Sequence, residues 1–184
     1  VDIHGGGTDL IFPHHYAENE VALALHHRPF AKIFVHPGLV LWDGSKMSKS
    51  RGNLVPLRVA LREVGADALR WYLLGSPLTE RFHWSAEGLR RAAGEWRHIR
   101  RTLQAWLRPG AGGRVGQLRA REVADGVRLD LTADLATDRV YDHLRALAVA
   151  IEADPSGHLP HGERSATVAA IRDVERQTGL RIRP

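Results

Sequence analysis

Apolar residues recur every three or four positions over much of the chain, a spacing that predicts helices. The longest stripe runs through Leu89, Ala92, Trp96, Ile99, Leu103 and Trp106 and marks one buried face of a long helix. Ser85 stands where an N-cap is needed, and Glu87 puts a carboxylate into the favourable first turn. The remaining faces carry Arg90, Arg91, Arg97, Arg100, Arg101 and Arg108 against Glu87 and Glu95. That excess fits either a solvated face or contact with a polyanion. Residues 57–64 and 66–74 read as two helices punctuated by Gly65. Further on, Thr137 or Asp138 opens a helix with Val140, Leu144, Leu147 and Ile151 inward. Residues 163–177 form another, which Gly179 can terminate. Between these groups, Pro109-Gly-Ala-Gly-Gly113 reads as a linker.

The first third has a different rhythm. Val1 to Ile3 reads as the end of a buried strand running into Gly5, Gly6 and Gly7. Glycines there allow a backbone to approach a ligand closely, at the strand end where open α/β folds bind. Asp9 follows and could accept hydrogen bonds from ribose hydroxyls, or simply cap the next element. Pro13 is placed to open a helix through Leu25. Residues 30–36 and 39–42 read as strands around Pro37-Gly38, and Asp43-Gly44 is a turn. His36 could touch substrate, but reads first as a half-buried strand histidine.

Composition narrows the class. The 184 residues are 43% apolar with five tryptophans, enough for a real core. A net charge of +5 and a pI near 10.2 are compatible with ATP or tRNA as partner, though charge alone reports solubility and steering. Cysteine is absent, so the chain supplies neither a disulfide nor a thiolate to a metal. No apolar run is long enough to span a bilayer, so the expectation is no membrane partner and a cytoplasmic location.

Two clusters carry chemistry. On the helix after Pro13, His14 and Glu18 are four apart and share a face. They offer two of the four donors a Zn²⁺ site needs, although such a pair is more often an exposed surface pair. Glu20 points elsewhere on the helix. The second cluster is Lys46-Met-Ser-Lys-Ser50, followed by Gly52-Asn53. Its two lysines sit among small residues, where mobile ammonium groups can meet phosphate oxygens.

The lysine stretch resembles the KMSKS signature of class I aminoacyl-tRNA synthetases. The segment from Asp2 to His15, with its glycine triplet and Phe12-Pro13-His14-His15, is similar to cysteinyl-tRNA synthetases and to the related cysteine:glucosaminyl-inositol ligases of mycothiol synthesis. The resemblance implies ATP-dependent activation of cysteine to its adenylate, with Mg²⁺ accompanying ATP, then transfer to an acceptor. By position it assigns Lys49 to the ATP phosphates with Lys46 assisting. It gives Gly5, Gly6, Gly7 and Asp9 to the nucleoside and His4 to the amino acid, and makes His14 and Glu18 zinc ligands. In that family two upstream cysteines complete the zinc site and a HIGH motif faces the lysine loop. Neither is in this sequence. A missing upstream segment or a partner chain is therefore expected to supply them, since Val1–Gly7 reads as the middle of an α/β unit.

The expected fold is α/β: the distal part of a class I Rossmann-like catalytic domain followed by an all-α helical domain. Residues 1–108 are assigned to the catalytic part, 109–116 to a linker and 117–184 to the helical domain. The acceptor is read as tRNA, with glucosaminyl-inositol as the alternative. His4 and the glutamate after the histidine pair favour tRNA, whereas Trp42-Asp-Gly and residues 46–55 look like the mycothiol ligases. A non-catalytic fragment or paralogue that binds nucleotide or tRNA is the third reading.

Overall fold

The computed structural model describes residues 1–108, 114–153 and 161–182. The chain forms two compact units. One comprises Val1–Leu54 and Leu78–Trp84; the other comprises Val55–Pro77 and Ser85–Pro184.

In the first unit, β1 (Ile3–Gly5) runs parallel to β2 (Ile33–Val35), with Ile3 opposite Ile33. The crossover between them contains a short turn at Thr8–Leu10 and helix α1 (Tyr16–His26). A second sheet places β3 (Val40–Trp42) between β4 (Ser45–Lys46), antiparallel to it, and β5 (Phe82–His83), parallel to it. Asp43 and Gly44 join β3 to β4 with φ of 48° and 70°. Two left-handed residues make the tight hairpin that matches strand twist, and the sequence reading of this turn holds.

Three expectations change here. Val1 and Ile3 are 71% and 65% exposed rather than buried, because a two-stranded sheet covers little surface by itself. The strands are shorter than residues 30–36 and 39–42. Pro13 does not open the α-helix: Phe12 is extended (φ −137°, ψ 135°), Pro13 lies in a wide turn over Ile11–His15, and α1 starts at Tyr16.

The second unit is helical: α2 (Leu57–Val64), α3 (Ala66–Leu74), α4 (Ala86–Trp106), α5 (Arg114–Asp134), α6 (Thr137–Ala153) and α7 (His161–Thr178). Ser85 caps α4, its Oγ accepting the Gly88 N–H at 3.0 Å. All six residues of the α4 stripe are buried, as are Val140, Leu144, Leu147 and Ile151 of α6. All of these except Leu89 meet Trp71, Val127, Ile171 and Val174 in one core. At roughly 1.5–3 kcal/mol per large apolar side chain, this burial rather than helix propensity holds the unit together. Trp71 and Tyr141 stack at 4.2 Å between ring centroids. Glu95 accepts hydrogen bonds from both the Trp71 indole and the Tyr141 hydroxyl, and pairs with Arg145 at 2.8 Å.

These contacts group the residues differently from the expected domains. Residues 55–77 and 85–108, assigned from sequence to the catalytic part, pack with the C-terminal helices, because Trp71 and the α4 stripe bury their faces there. The expected linker lies mostly outside the described residues, and α5 already begins at Arg114. Among the described residues no helix is long and apolar enough to cross a membrane.

Candidate active site

The glycine turn at the end of β1 is shaped by what packs on it. A Cβ at Gly6 would fall 2.6 Å from Cε1 of His15, so only glycine lets that ring close over the backbone. His15 is 4% exposed, and its Nδ1 lies 2.8 Å from Nε2 of His36, just beyond β2. Burial, reinforced by the nearby His4 and His36 rings, pushes the His15 imidazole below the ordinary histidine value.

His4, on β1, stands 4.4 Å from the His15 ring and meets Phe30 and Phe34 edge-on. Its Nε2 is 2.9 Å from Oε2 of Glu18, while Oε1 of the same carboxylate is 3.5 Å from Nε2 of His14. The sequence pair His14 and Glu18 therefore shares a helix face as expected, with His14 60% exposed. A tighter trio forms as well: donor atoms of His4, His15 and Glu18 lie within 4.8 Å of one another. Imidazole nitrogens and a carboxylate are suitable zinc donors, so the residues present fit that metal. Glu20 is exposed and outside the cluster. A cavity of about 540 Å³ beside Glu18 is lined by Pro13, His14, Ala17, Val21 and Phe30.

The lysine loop is ordered by its own backbone. Met47 N–H bonds to Val40 O at 2.9 Å. Asn53 ties both ends, its Oδ1 accepting from Ser48 N–H and its Nδ2 donating to Lys46 O. Lys46 reaches Asp9, Nζ to Oδ2 at 2.5 Å, and holds that carboxyl below its usual range. Lys49 is exposed, with no side-chain partner among the described residues. Lys46, Asp9, the glycine turn and the histidine cluster thus belong to one unit. At the sequence level His15 was given no part in the chemistry, and His36 only an alternative contact with substrate. The signal was the doubled histidine at a helix start, where one ring faces out and its neighbour in.

Residues 1–94 match the family described as tRNA synthetases class I (C) catalytic domain. The chain belongs to that family. Among curated relatives of this class I family, the cysteine--tRNA ligase of Rhodospirillum rubrum is 41% identical over 153 residues, 79% of this chain and 31% of that protein. Cysteine--tRNA ligase of Xanthobacter autotrophicus is 38% identical over 163 residues, 82% of this chain and 31% of that protein. That of Staphylothermus marinus is 46% identical over 94 residues, half of this chain and 19% of that protein. The chain thus spans about a third or less of the curated relatives it matches. Among solved structures, the LeuRS of Agrobacterium radiobacter K84, crystallised as a ternary complex with tRNA and LeuAMS, superposes with a TM-score of 0.76. At 17% identity, over 97% of this chain and 26% of that one, the likeness shows the fold. It agrees with the expected class I α/β architecture plus helices.

Proposed function

We propose that this chain is the lysine-loop and metal-side part of a cysteine--tRNA ligase, activating cysteine with ATP and transferring it to tRNA. The observation that carries the reading is the contact of Lys46 with Asp9, which joins the phosphate-binding loop to the nucleoside-binding turn. Nucleotide binding in this account uses the Gly5–Gly7 backbone and Asp9 for the nucleoside. Lys49, exposed and unpaired, meets the phosphates of Mg²⁺-bound ATP where charge builds in the transition state. Lys46 assists once released from Asp9. His4, beside the Phe30 and Phe34 rings, borders the amino acid.

His14 and Glu18 hold zinc in this account, and His4 orients the Glu18 carboxylate from behind. Bound zinc supplies a Lewis acid that takes a thiolate and so favours cysteine over serine. The chain has no thiolate of its own, and the two cysteines and the HIGH segment of the family come from outside these residues. A cytoplasmic location goes with this function.

Cysteine-dependent exchange of pyrophosphate into ATP tests the reading. The chain, supplied with a polypeptide carrying the HIGH segment and the cysteines, is expected to exchange with cysteine and not with serine. Lys49→Ala lowers the exchange by about 10²–10³-fold. Exchange that ignores the amino acid, or is undiminished by loss of Lys49, sinks the proposal. Offering tRNA and glucosaminyl-inositol to preformed adenylate then identifies the acceptor.

A further inference from the structure

The helical unit contains a basic cavity that cysteine activation does not use. It measures about 640 Å³ and is lined by Arg100 of α4, by Arg172, Glu175 and Arg176 of α7, and by Gly179–Arg181 beyond. Four guanidinium groups face one carboxylate, and that carboxylate is committed: Glu175 Oε1 accepts the Ile182 N–H at 2.8 Å. Arg176 pairs with Asp173 at 2.7 Å. Among the described residues the guanidinium groups of Arg100, Arg172 and Arg181 have no ion-pair partner. The Nε of Arg100 is buried without any acceptor. The Arg100 guanidinium also lacks a counter-charge, and an anion seated in the cavity would supply one.

The backbone builds this arrangement. Gly179 has φ +69° and donates its N–H to Glu175 O at 2.9 Å, ending α7 and turning the chain so that Arg181 follows. An added Cβ there would sit 3.1 Å from Cζ of Arg70, so a fifth guanidinium lies at the rim. Along α4, Arg97 and Arg101 are four apart and share a face next to Arg100, both exposed and without ion-pair partners among the described residues.

We propose that the cavity grips a phosphodiester group of an RNA strand, with Arg97 and Arg101 tracking the adjoining backbone. The forked guanidinium matches phosphate oxygens, and a row of cations beside one socket suits a repeating anion rather than a single one. This deepens the tRNA reading above and rests on it.

The test uses the whole 184-residue chain and a fluorescein-labelled tRNA transcript, followed by anisotropy over a salt series. Arg172→Gln/Arg181→Gln is compared with Arg119→Gln/Arg128→Gln, which removes equal charge from ion-paired, exposed positions on α5. The cavity variant is expected to lose about tenfold in affinity or more and to lower the salt slope by about 2, while the α5 variant stays within about threefold of wild type. Arg100→Lys keeps the charge, loses the buried Nε and is expected to weaken binding severalfold. Equal losses in both double variants, undiminished binding by the cavity variant, or a wild-type chain that takes inorganic phosphate and not the transcript would each overturn the proposal. Pyrophosphate exchange needs no RNA, so its failure would remove the catalytic reading while leaving the anisotropy result to stand.

Discussion

The Nζ of Lys46 and the Oδ2 of Asp9 are 2.5 Å apart although 37 positions separate the residues, so one ion pair closes the lysine loop onto the glycine turn. In the proposed function, ATP would take Asp9 by its ribose and Lys46 by its phosphates, and would part them. The hydrogen bond from Lys46 lowers the Asp9 pKa below 3.8, so the pair's contribution is complete above that value and is lost as pH falls through the lowered one. Wild type and Asp9→Asn should therefore differ in urea midpoint by a constant amount from pH 7 to 5 and converge only in stronger acid. Limited trypsin digestion should cut Asp9→Asn faster at Lys46 or Lys49. Equal cutting rates would mean the pair does not restrain the loop.

Lys49 offers a cleaner dissection of catalysis from folding. Its side chain is exposed and makes no hydrogen bond or ion pair among the described residues, so Lys49→Ala should leave the melting temperature unchanged. Removing a charge aimed at the transition state should lower kcat for exchange by about 10²–10³-fold, with little effect on cysteine KM. A drop in melting temperature alongside the rate would give the lysine a structural role instead.

The two neighbouring histidines separate in a metal titration. His14→Ala removes a proposed ligand and should weaken Co²⁺ or Zn²⁺ binding by about tenfold or more. His15→Asn removes the ring that packs on Gly6 and hydrogen-bonds to His36, and should lower stability more than metal affinity. The opposite pattern would move the ligand role to the His4, His15 and Glu18 trio.

Tyr141 gives an alkaline signature. Burial first, and the hydrogen bond to Glu95 next, raise its hydroxyl to about 12. The stability this gives is present below the ordinary tyrosine value of 10.0 and is lost as pH rises towards about 12. One of the three tyrosines should therefore titrate late in tyrosinate absorbance, and Tyr141→Phe should abolish that late step. Ser85→Ala, which removes the α4 cap, should cost about 1 kcal/mol in urea denaturation at neutral pH.

Local signals carried the helices. The cap at Ser85, the punctuating Gly65, the stripes of α4 and α6 and the stop at Gly179 are each written within a few residues, and the structure keeps all of them. The Asp43-Gly44 turn was legible for the same reason. The site was half legible: residue types and spacing singled out His14, Glu18, Lys46 and Lys49, but not what holds them. His15 meets His36 across 21 positions and Lys46 meets Asp9 across 37, and no periodicity encodes such pairings. The compact units cut across the expected domain bounds because Trp71 and the α4 stripe find apolar partners in the C-terminal helices, a long-range match that no local stretch encodes.

The place of β5 has a consequence for biosynthesis. Strand β3, which carries the lysine hairpin, is bordered on its other edge by Phe82 and His83, with α2 and α3 intervening in sequence. A ribosome delivers that edge strand only after both helices have been made, so the hairpin waits half-paired while they emerge. For the same reason no single cut yields the lysine-bearing unit: a product ending at Leu54 lacks β5, and one that includes β5 drags α2 and α3 with it. Dissecting this protein into working pieces therefore calls for a circular rearrangement or a spliced bridge across residues 55–77, not a truncation.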